Sequence, residues 1–265
     1  MKILILLKKW KGGVGTVIRN VKKGLEKRGH EVKTISREED LGINSLVKSI
    51  CPLRKKVKQI MKKENYDIIY TQDWSLAFPL LFKKNHYCCF HGHNFGVGFF
   101  IQSFIGKVMG KRLIVVGPTL KKRFPNSNLI YNGASKKDFY DKKKKREYIG
   151  YYFSNKNMVD SGPLAKKTID MVDKLRKKFK LRTSLAKNIP TNKMNDWYNS
   201  LQFFVCLPPK QTGFILSWLE AKLSGVPNII GNEYGVGISN LNANWKSMTL
   251  ENQTNKLLDT FNKNE

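Results

Sequence analysis

Acids are scarce in this chain: 20 Asp and Glu stand against 49 Lys and Arg, a formal charge of +29 over 265 residues. So basic a surface excludes cationic partners and leaves nucleic acid, an anionic membrane face or phosphate-bearing substrates. Cysteine is scarce too. Cys51, Cys88, Cys89 and Cys206 have no C-x-x-C spacing and no accompanying run of His, which argues against a zinc site and leaves reduced thiols in a cytosolic protein. No metal and no cofactor are expected. Long apolar runs are missing as well: MKILILL is too short for a signal peptide, and lysines follow it at once. Tyr87 to Gly106 lacks Asp, Glu, Lys and Arg over about a membrane's thickness, but its Gly, His, Asn and Gln speak against a spanning helix.

What is present is a globular composition, 41% hydrophobic and 11% aromatic, in a chain long enough for two modest domains. Lys2 to Leu7 reads as a strand buried on both faces, hence central in a parallel sheet. Gly12, Gly13 and Gly15 then precede a helix whose Val14, Val17, Ile18, Val21 and Leu25 recur at helical spacing, and Glu31 to Ile35 completes a βαβ unit. A dinucleotide site fits poorly, because KKWK separates the strand from the glycines and the second strand ends on Ser36 and Arg37 instead of an acid. Arg37 leaves NADP as a weaker reading.

Leu41 to Glu64 is amphipathic and reads as a helix covering the core, with a membrane-surface helix as the alternative. Strands are expected at Tyr66–Thr71, Tyr87–Phe90 and Leu113–Val116, with His91, Gly92 and His93 following the second. In FGVGFFIQSFIGKVMGK, core packing is the expectation for Phe99, Phe100 and Phe104; their exposure beside Lys107 and Lys111 would mark an acceptor- or lipid-facing patch. DKKKKRE, starting at Asp141, reads as a solvated linker between domains 1–140 and 141–265. In the second domain, Glu147 to Phe153 and Phe203 to Leu207 are strands. Leu164 to Phe179 is a helix with Ile169, Val172, Leu175 and Phe179 inward, and Glu251 to Phe261 is a last helix that returns across the domains.

KQTGFILSWLEAKLSGVPN, from Lys210 to Asn228, carries the chemistry. It is an apolar helix with one embedded acid, Glu220, stopped by Gly225 and Pro227. A carboxylate there must find a partner or stay wet; at a strand–loop–helix junction it can accept both hydroxyls of a ribose.

This stretch resembles the carboxy-terminal signature of the family-4 retaining glycosyltransferases, E-G-F-G-x-x-x-L-E-A-x-x-x-G-x-P, matching at Gly213, Phe214, Leu219, Glu220, Ala221, Gly225 and Pro227. The resemblance extends to the glycine loop at Gly12 and Gly13, the His-Gly pair at His91, and the N-G element at Asn132, Gly133 and Phe139. It implies an α/β chain of two Rossmann-like βαβ domains facing a cleft, the GT-B type, with acceptor on the first domain and nucleotide sugar on the second. It also implies a metal-independent, retaining sugar transfer with His91 and Lys156 as catalytic residues. Donor contacts fall on Glu220, Gly213, Phe214, Thr212, Lys210, Gly12, Gly13 and Asn132. Two departures stand out: Thr212 replaces the family's first Glu and Tyr151 its diphosphate-gripping Arg, for which Lys210 is the candidate replacement. A lost bidentate Arg costs roughly 1.5–3 kcal/mol per charged hydrogen bond.

The partners expected are a nucleoside-diphosphate sugar, a lipid-linked or polyanionic acceptor and an anionic membrane surface, in a protein that is cytoplasmic or peripheral at the inner membrane face. The alternative is a GT-B-like binding protein without chemistry that holds nucleic acid or another anionic surface through its lysines.

Overall fold

The computed structural model describes residues 1–10, 12–43, 50–92, 96–152, 163–187, 189–207, 215–231 and 245–263. Two compact units divide the chain: Met1–Gly133 with Leu250–Glu265, and Ala134–Thr249.

The first unit is built on strands β1 (Lys2–Leu7), β2 (Glu31–Ser36), β3 (Ile68–Thr71), β4 (His86–Phe90), β5 (Leu113–Val115) and β6 (Asn128–Leu129). They form one parallel sheet in the order β2-β1-β3-β4-β5-β6. β1 is central and its Ile3 to Leu7 are buried, as a strand covered on both faces requires. Helix α1 (Gly13–Glu26) buries Val17, Ile18, Val21 and Leu25 on the sheet. Helix α2 (Ile50–Lys63) places Leu53 and Val57 in the core with Leu4, Leu6 and Ile69, so it covers the core as expected. Helices α3 (Trp74–Ala77), α4 (Val97–Met109) and α5 (Pro118–Arg123) follow β3, β4 and β5. Ala77, Ile105, Met109 and Leu120 of these helices share one cluster with Cys88, Phe90 and Val115.

The core expectation for the α4 phenylalanines does not hold: Phe99, Phe100 and Phe104 are all exposed. The helix turns Gln102, Ile105, Gly106 and Met109 inward instead. Gly106 explains the choice, since a Cβ there would come within 2.3 Å of the Phe124 ring; close approach on that face leaves the bulky residues outside.

The second unit holds β7 (Tyr148–Tyr151), β8 (Arg182–Leu185), β9 (Leu201–Val205) and β10 (Asn228–Ile230), all parallel, in the order β10-β9-β7-β8. Helix α6 (Pro163–Phe179) buries Ala165, Thr168 and Val172. Leu175 packs beside this face, but Ile169 is exposed, and Phe179 is exposed at one edge while its ring contacts Phe203 at 4.8 Å. Helices α7 (Met194–Asn199) and α8 (Leu216–Leu223) flank β9.

The charge run from Asp141 to Glu147 lies within the second unit, and the chain changes units at Gly133/Ala134 and Thr249/Leu250. Its cations are engaged: Lys142 Nζ lies 2.7 Å from Asp196, and Arg146 Nη2 2.8 Å from Asp141. The last helix, α9 (Leu250–Asn262), packs on α1 of the first unit, where Gly24 leaves room for Thr254 and Arg28 donates to Asn255 Oδ1 at 2.6 Å. Among the described residues no helix is long and apolar enough to cross a membrane.

Candidate functional site

Each sheet has a point where the chain leaves one strand toward opposite sides, and the carboxyl ends of the strands there open a crevice for ligands. In the first unit that point lies between β1 and β3; in the second, between β7 and β9. Every described residue that the sequence marks for chemistry, Asn132 apart, follows a carboxyl strand end or lies on the helix after it.

After β1, the loop turns through Gly12 at φ +85°, a conformation that favours glycine, and α1 begins at Gly13. Gly15 has a different reason to lack a side chain. A Cβ there would come within 1.9 Å of the Trp10 carbonyl oxygen. Arg19 donates to that same carbonyl at 3.2 Å and to Thr16 Oγ1 at 3.1 Å, so the loop is folded down onto the helix start. A Cβ on Gly12 or Gly13 would meet nothing within 4 Å, so there is open space beside the start of α1, the kind of helix end that accepts a phosphate. Arg37, at the end of β2, is buried, with Nη1 3.5 Å from Ser75 Oγ, and does not present itself to a cofactor phosphate.

After β4, His91 is half-buried, and its Nε2 lies 2.8 Å from Gln72 Oε1 at the end of β3. A carbonyl oxygen only accepts, so Nε2 carries the proton and Nδ1 is left as an acceptor. Burial pushes the imidazole down to about 4, so it is neutral at physiological pH. Gly92 is held from behind, its carbonyl accepting from Gln102 of α4 at 2.8 Å. His86 is the structural histidine of the same strand: it is buried, bonded to Thr71 Oγ1 at 2.9 Å and to the Leu80 carbonyl at 3.0 Å.

In the second unit Glu220 sits on α8, half-buried, beside the carboxyl ends of β7 and β9. Tyr198 Oη donates to Glu220 Oε2 at 3.1 Å. Burial raises the carboxyl to about 7, against the Tyr198 hydrogen bond, which lowers it. Tyr152, just beyond β7, feels the charges of both Glu220 and Cys206, the first residue after β9. The helix ends are fastened so that this pair meets. Arg146 donates to the Ser224 carbonyl at 2.9 Å and the Tyr198 carbonyl at 3.2 Å, and Ser224 Oγ donates to Asn195 Oδ1 at 2.8 Å. Gly225 stops α8 at φ +76°, and a Cβ there would strike the Asp141 side chain at 2.5 Å.

Sequence reasoning missed Tyr198. Its signal, an aromatic pair in a short amphipathic helix, gives no hint of a partner 22 residues on. It also missed Gln72, a single amide at a strand end. Asn132 is brought to neither strand-end cluster: it is buried, and its Oδ1 accepts from Gln253 of α9 at 3.5 Å while the Gly133 amide donates to Gln253 Oε1 at 2.9 Å. Its observed role is to tie down the last helix. Lys156, Lys210, Thr212, Gly213, Phe214 and His93 lie outside the described residues.

Residues 11–131 match the model of Glycosyltransferase Family 4. The matched stretch lies within the amino-terminal unit. Solved structures extend the likeness over both units. Sucrose-phosphate synthase from Thermosynechococcus elongatus aligns with a TM-score of 0.62 and 15% identity over 98% of this chain and 95% of its own. The lipopolysaccharide outer core galactosyltransferase WaaB aligns at 0.58 and 12% over the whole of both chains. The Anabaena protein HepE, solved with UDP and glucose, aligns at 0.52 and 13% over 98% of this chain and 95% of its own. At such identities the likeness establishes the fold, two Rossmann-like units of the GT-B type. No curated protein matches the sequence.

Proposed function

We propose that this protein transfers a sugar from a nucleoside-diphosphate sugar to an acceptor, with retention at the anomeric carbon and without a metal. In this reading residues 134–249 take the donor and the amino-terminal unit takes the acceptor. The observation that carries it is Glu220: a carboxyl held at a sheet's switch point, with one oxygen engaged by Tyr198 and its charge discouraged by burial until a ligand supplies donors. A ribose diol supplies two hydroxyls side by side, which a carboxylate accepts together. HepE in its crystal holds UDP and glucose, which makes UDP the first nucleotide to test.

Reaction breaks the bond between the anomeric carbon and the diphosphate oxygen and forms one to an acceptor oxygen, whose proton must leave. Neutral His91, fixed by Gln72 with Nδ1 left as an acceptor, is suited to accept a hydrogen bond from a sugar hydroxyl. The family resemblance gives the developing diphosphate charge to Lys156 and to the amides of Gly213 and Phe214, with Lys210 standing in for the Arg that Tyr151 replaces. The amides at Gly12 and Gly13 take phosphate or acceptor on the amino-terminal unit. The acceptor we propose is lipid-linked or polyanionic, in keeping with the charge of +29, and the enzyme is cytoplasmic and peripheral at a membrane's inner face.

Calorimetry with UDP, GDP and ADP against the parent chain and Glu220→Ala tests the donor assignment. Binding of one nucleotide that Glu220→Ala abolishes is the expected result. Equal and negligible heats for all three would favour the alternative, a fold kept for binding nucleic acid or an anionic surface without chemistry. Incubation of a UDP-sugar panel with chelator present then tests turnover and metal independence together.

A further inference from the structure

Among the described residues of its unit, the outer face of α4 has no partner. Val97, Phe100 and Phe104, spaced at i, i+3 and i+7, form one stripe and are 74%, 73% and 53% exposed. Apolar residues so placed on a helix whose opposite face already fills the core are not explained by folding.

The stripe does not stand alone. Phe82, 87% exposed, follows α3 on the same layer, and Arg112, just past α4, donates to the carbonyls of Leu81 and Lys83, tying that segment to the helix end. On the other flank Arg123 of α5 stacks 3.7 Å over the Phe99 ring and donates to its carbonyl at 2.9 Å. The segment that carries Phe82 is thus tied to the end of α4, and α5 to its start.

Its charge is of one sign. Between Asp73 and Asp138 the sequence contains ten Lys and Arg and no acid at all. Of these, Lys84, Lys107, Lys111 and Lys122 are exposed, and Lys107 continues the α4 stripe by one turn. Lys2 and Lys33, by contrast, both reach an acid, Glu64. Among the described residues none of these four lysines is in an ion pair.

We infer that this face docks on an anionic lipid bilayer, with Phe82, Phe100 and Phe104 entering the interface and the surrounding lysines meeting lipid phosphates. A basic rim around bulky apolar side chains is what such an interface selects, because area burial and counter-charge add. A nucleic acid would use the same lysines and stack on the same rings, but Val97, the most exposed member of the stripe, has no ring to stack on and gains only from an apolar interface. The inference rests on the peripheral placement proposed above, to which it adds the docking face, and it does not depend on the donor chemistry.

Co-sedimentation of the full chain with vesicles decides it. Vesicles of phosphatidylcholine mixed with phosphatidylglycerol are expected to pellet the protein and phosphatidylcholine alone to leave most of it in solution. Phe100→Ser with Phe104→Ser is expected to reduce binding at least tenfold, and Lys107→Glu with Lys111→Glu at least as much, since each lysine near an anionic surface is worth roughly fivefold. These side chains are exposed, so thermal melts of both variants should overlay the parent. The charge-matched control, Lys177→Glu with Lys178→Glu on α6, should keep most of the binding. Failure of the parent to pellet would overturn the inference. So would equal binding by the serine variant, which would leave only unspecific charge attraction, or an equal loss in the α6 control. Tight binding of single-stranded RNA that needs the same two phenylalanines, with no vesicle binding, would assign the face to nucleic acid instead.

Discussion

Tyr198 Oη donates to Glu220 Oε2 at 3.1 Å, joining two helices of the second unit at the carboxyl end of its sheet. The bond takes one lone pair and leaves the carboxylate's remaining acceptor capacity unclaimed by any other described contact. Burial opposes the charge and the tyrosine favours it, so the group is balanced near neutrality and responds to whatever binds next.

Glu220→Ala should therefore remove nucleotide affinity. Hydrogen bonds to a charged acceptor contribute about 1.5–3 kcal/mol each, so a lost diol grip should weaken binding by one to several orders of magnitude. Glu220→Gln, isosteric but uncharged, should lie between the two in calorimetric titrations. Parent-like affinity in Glu220→Ala would remove the donor site from this helix.

The same carboxyl makes binding pH-dependent. Its value of about 7 in the free protein must fall when two hydroxyls donate to it, so binding releases a proton wherever Glu220 is protonated. Affinity should be level in mild alkali and decline by up to about tenfold per pH unit below neutrality. For stability the sign is reversed. A carboxyl raised above its unfolded value favours the folded state fully only below that unfolded value, and this contribution is lost as pH rises through about 7. Calorimetric melts of ligand-free Glu220→Gln should therefore be no lower than the parent's in mild alkali. Tyr198→Phe should move the binding midpoint upward, because the lost bond had lowered the carboxyl.

Gln72 should act through His91. Gln72→Leu leaves Nε2 without its acceptor and frees the ring, and turnover should fall about tenfold or more with little change in donor affinity. Gln72→Glu should instead raise the imidazole from about 4 toward neutrality and add a new limb to the pH–rate profile. A profile unchanged in both variants would show that His91 takes no part.

The three glycines of the first loop should separate by cause. Gly15→Ala places a methyl against the Trp10 carbonyl and should lower the melting temperature by several degrees, a loss of roughly 1–3 kcal/mol. Gly12→Ala should cost about 1–3 kcal/mol through its backbone conformation alone, φ +85° with ψ −175°, a region that is essentially glycine's. Gly13→Ala has open space and a negative φ, so its melt should match the parent while any ligand approaching the helix start is obstructed.

Sequence by itself determined the elements and the fold class. The buried run of β1, the helical spacing of Val17, Ile18, Val21 and Leu25, and the Gly stop at Gly225 are each set by interactions within a few residues. Alternating strands and helices then leave few topologies, and parallel sheets with a switch point follow. Glu220 was legible for the same reason: one acid in an apolar helix is locally conspicuous.

Tertiary structure decided which face of a helix the core takes. The residues of α4 are apolar nearly all round, so periodicity could not say that Ile105 and Met109 go in while Phe100 and Phe104 stay out; the short distance at Gly106 chose. On α6 the core takes Ala165 and Thr168, and Ile169 is left exposed. Contacts between distant positions were equally invisible: Tyr198 with Glu220, Gln72 with His91, and Asn132 with Gln253. Local pattern carries the sign of burial but not the identity of the partner, because the partner is fixed only when separate elements pack and their polar groups must be satisfied together.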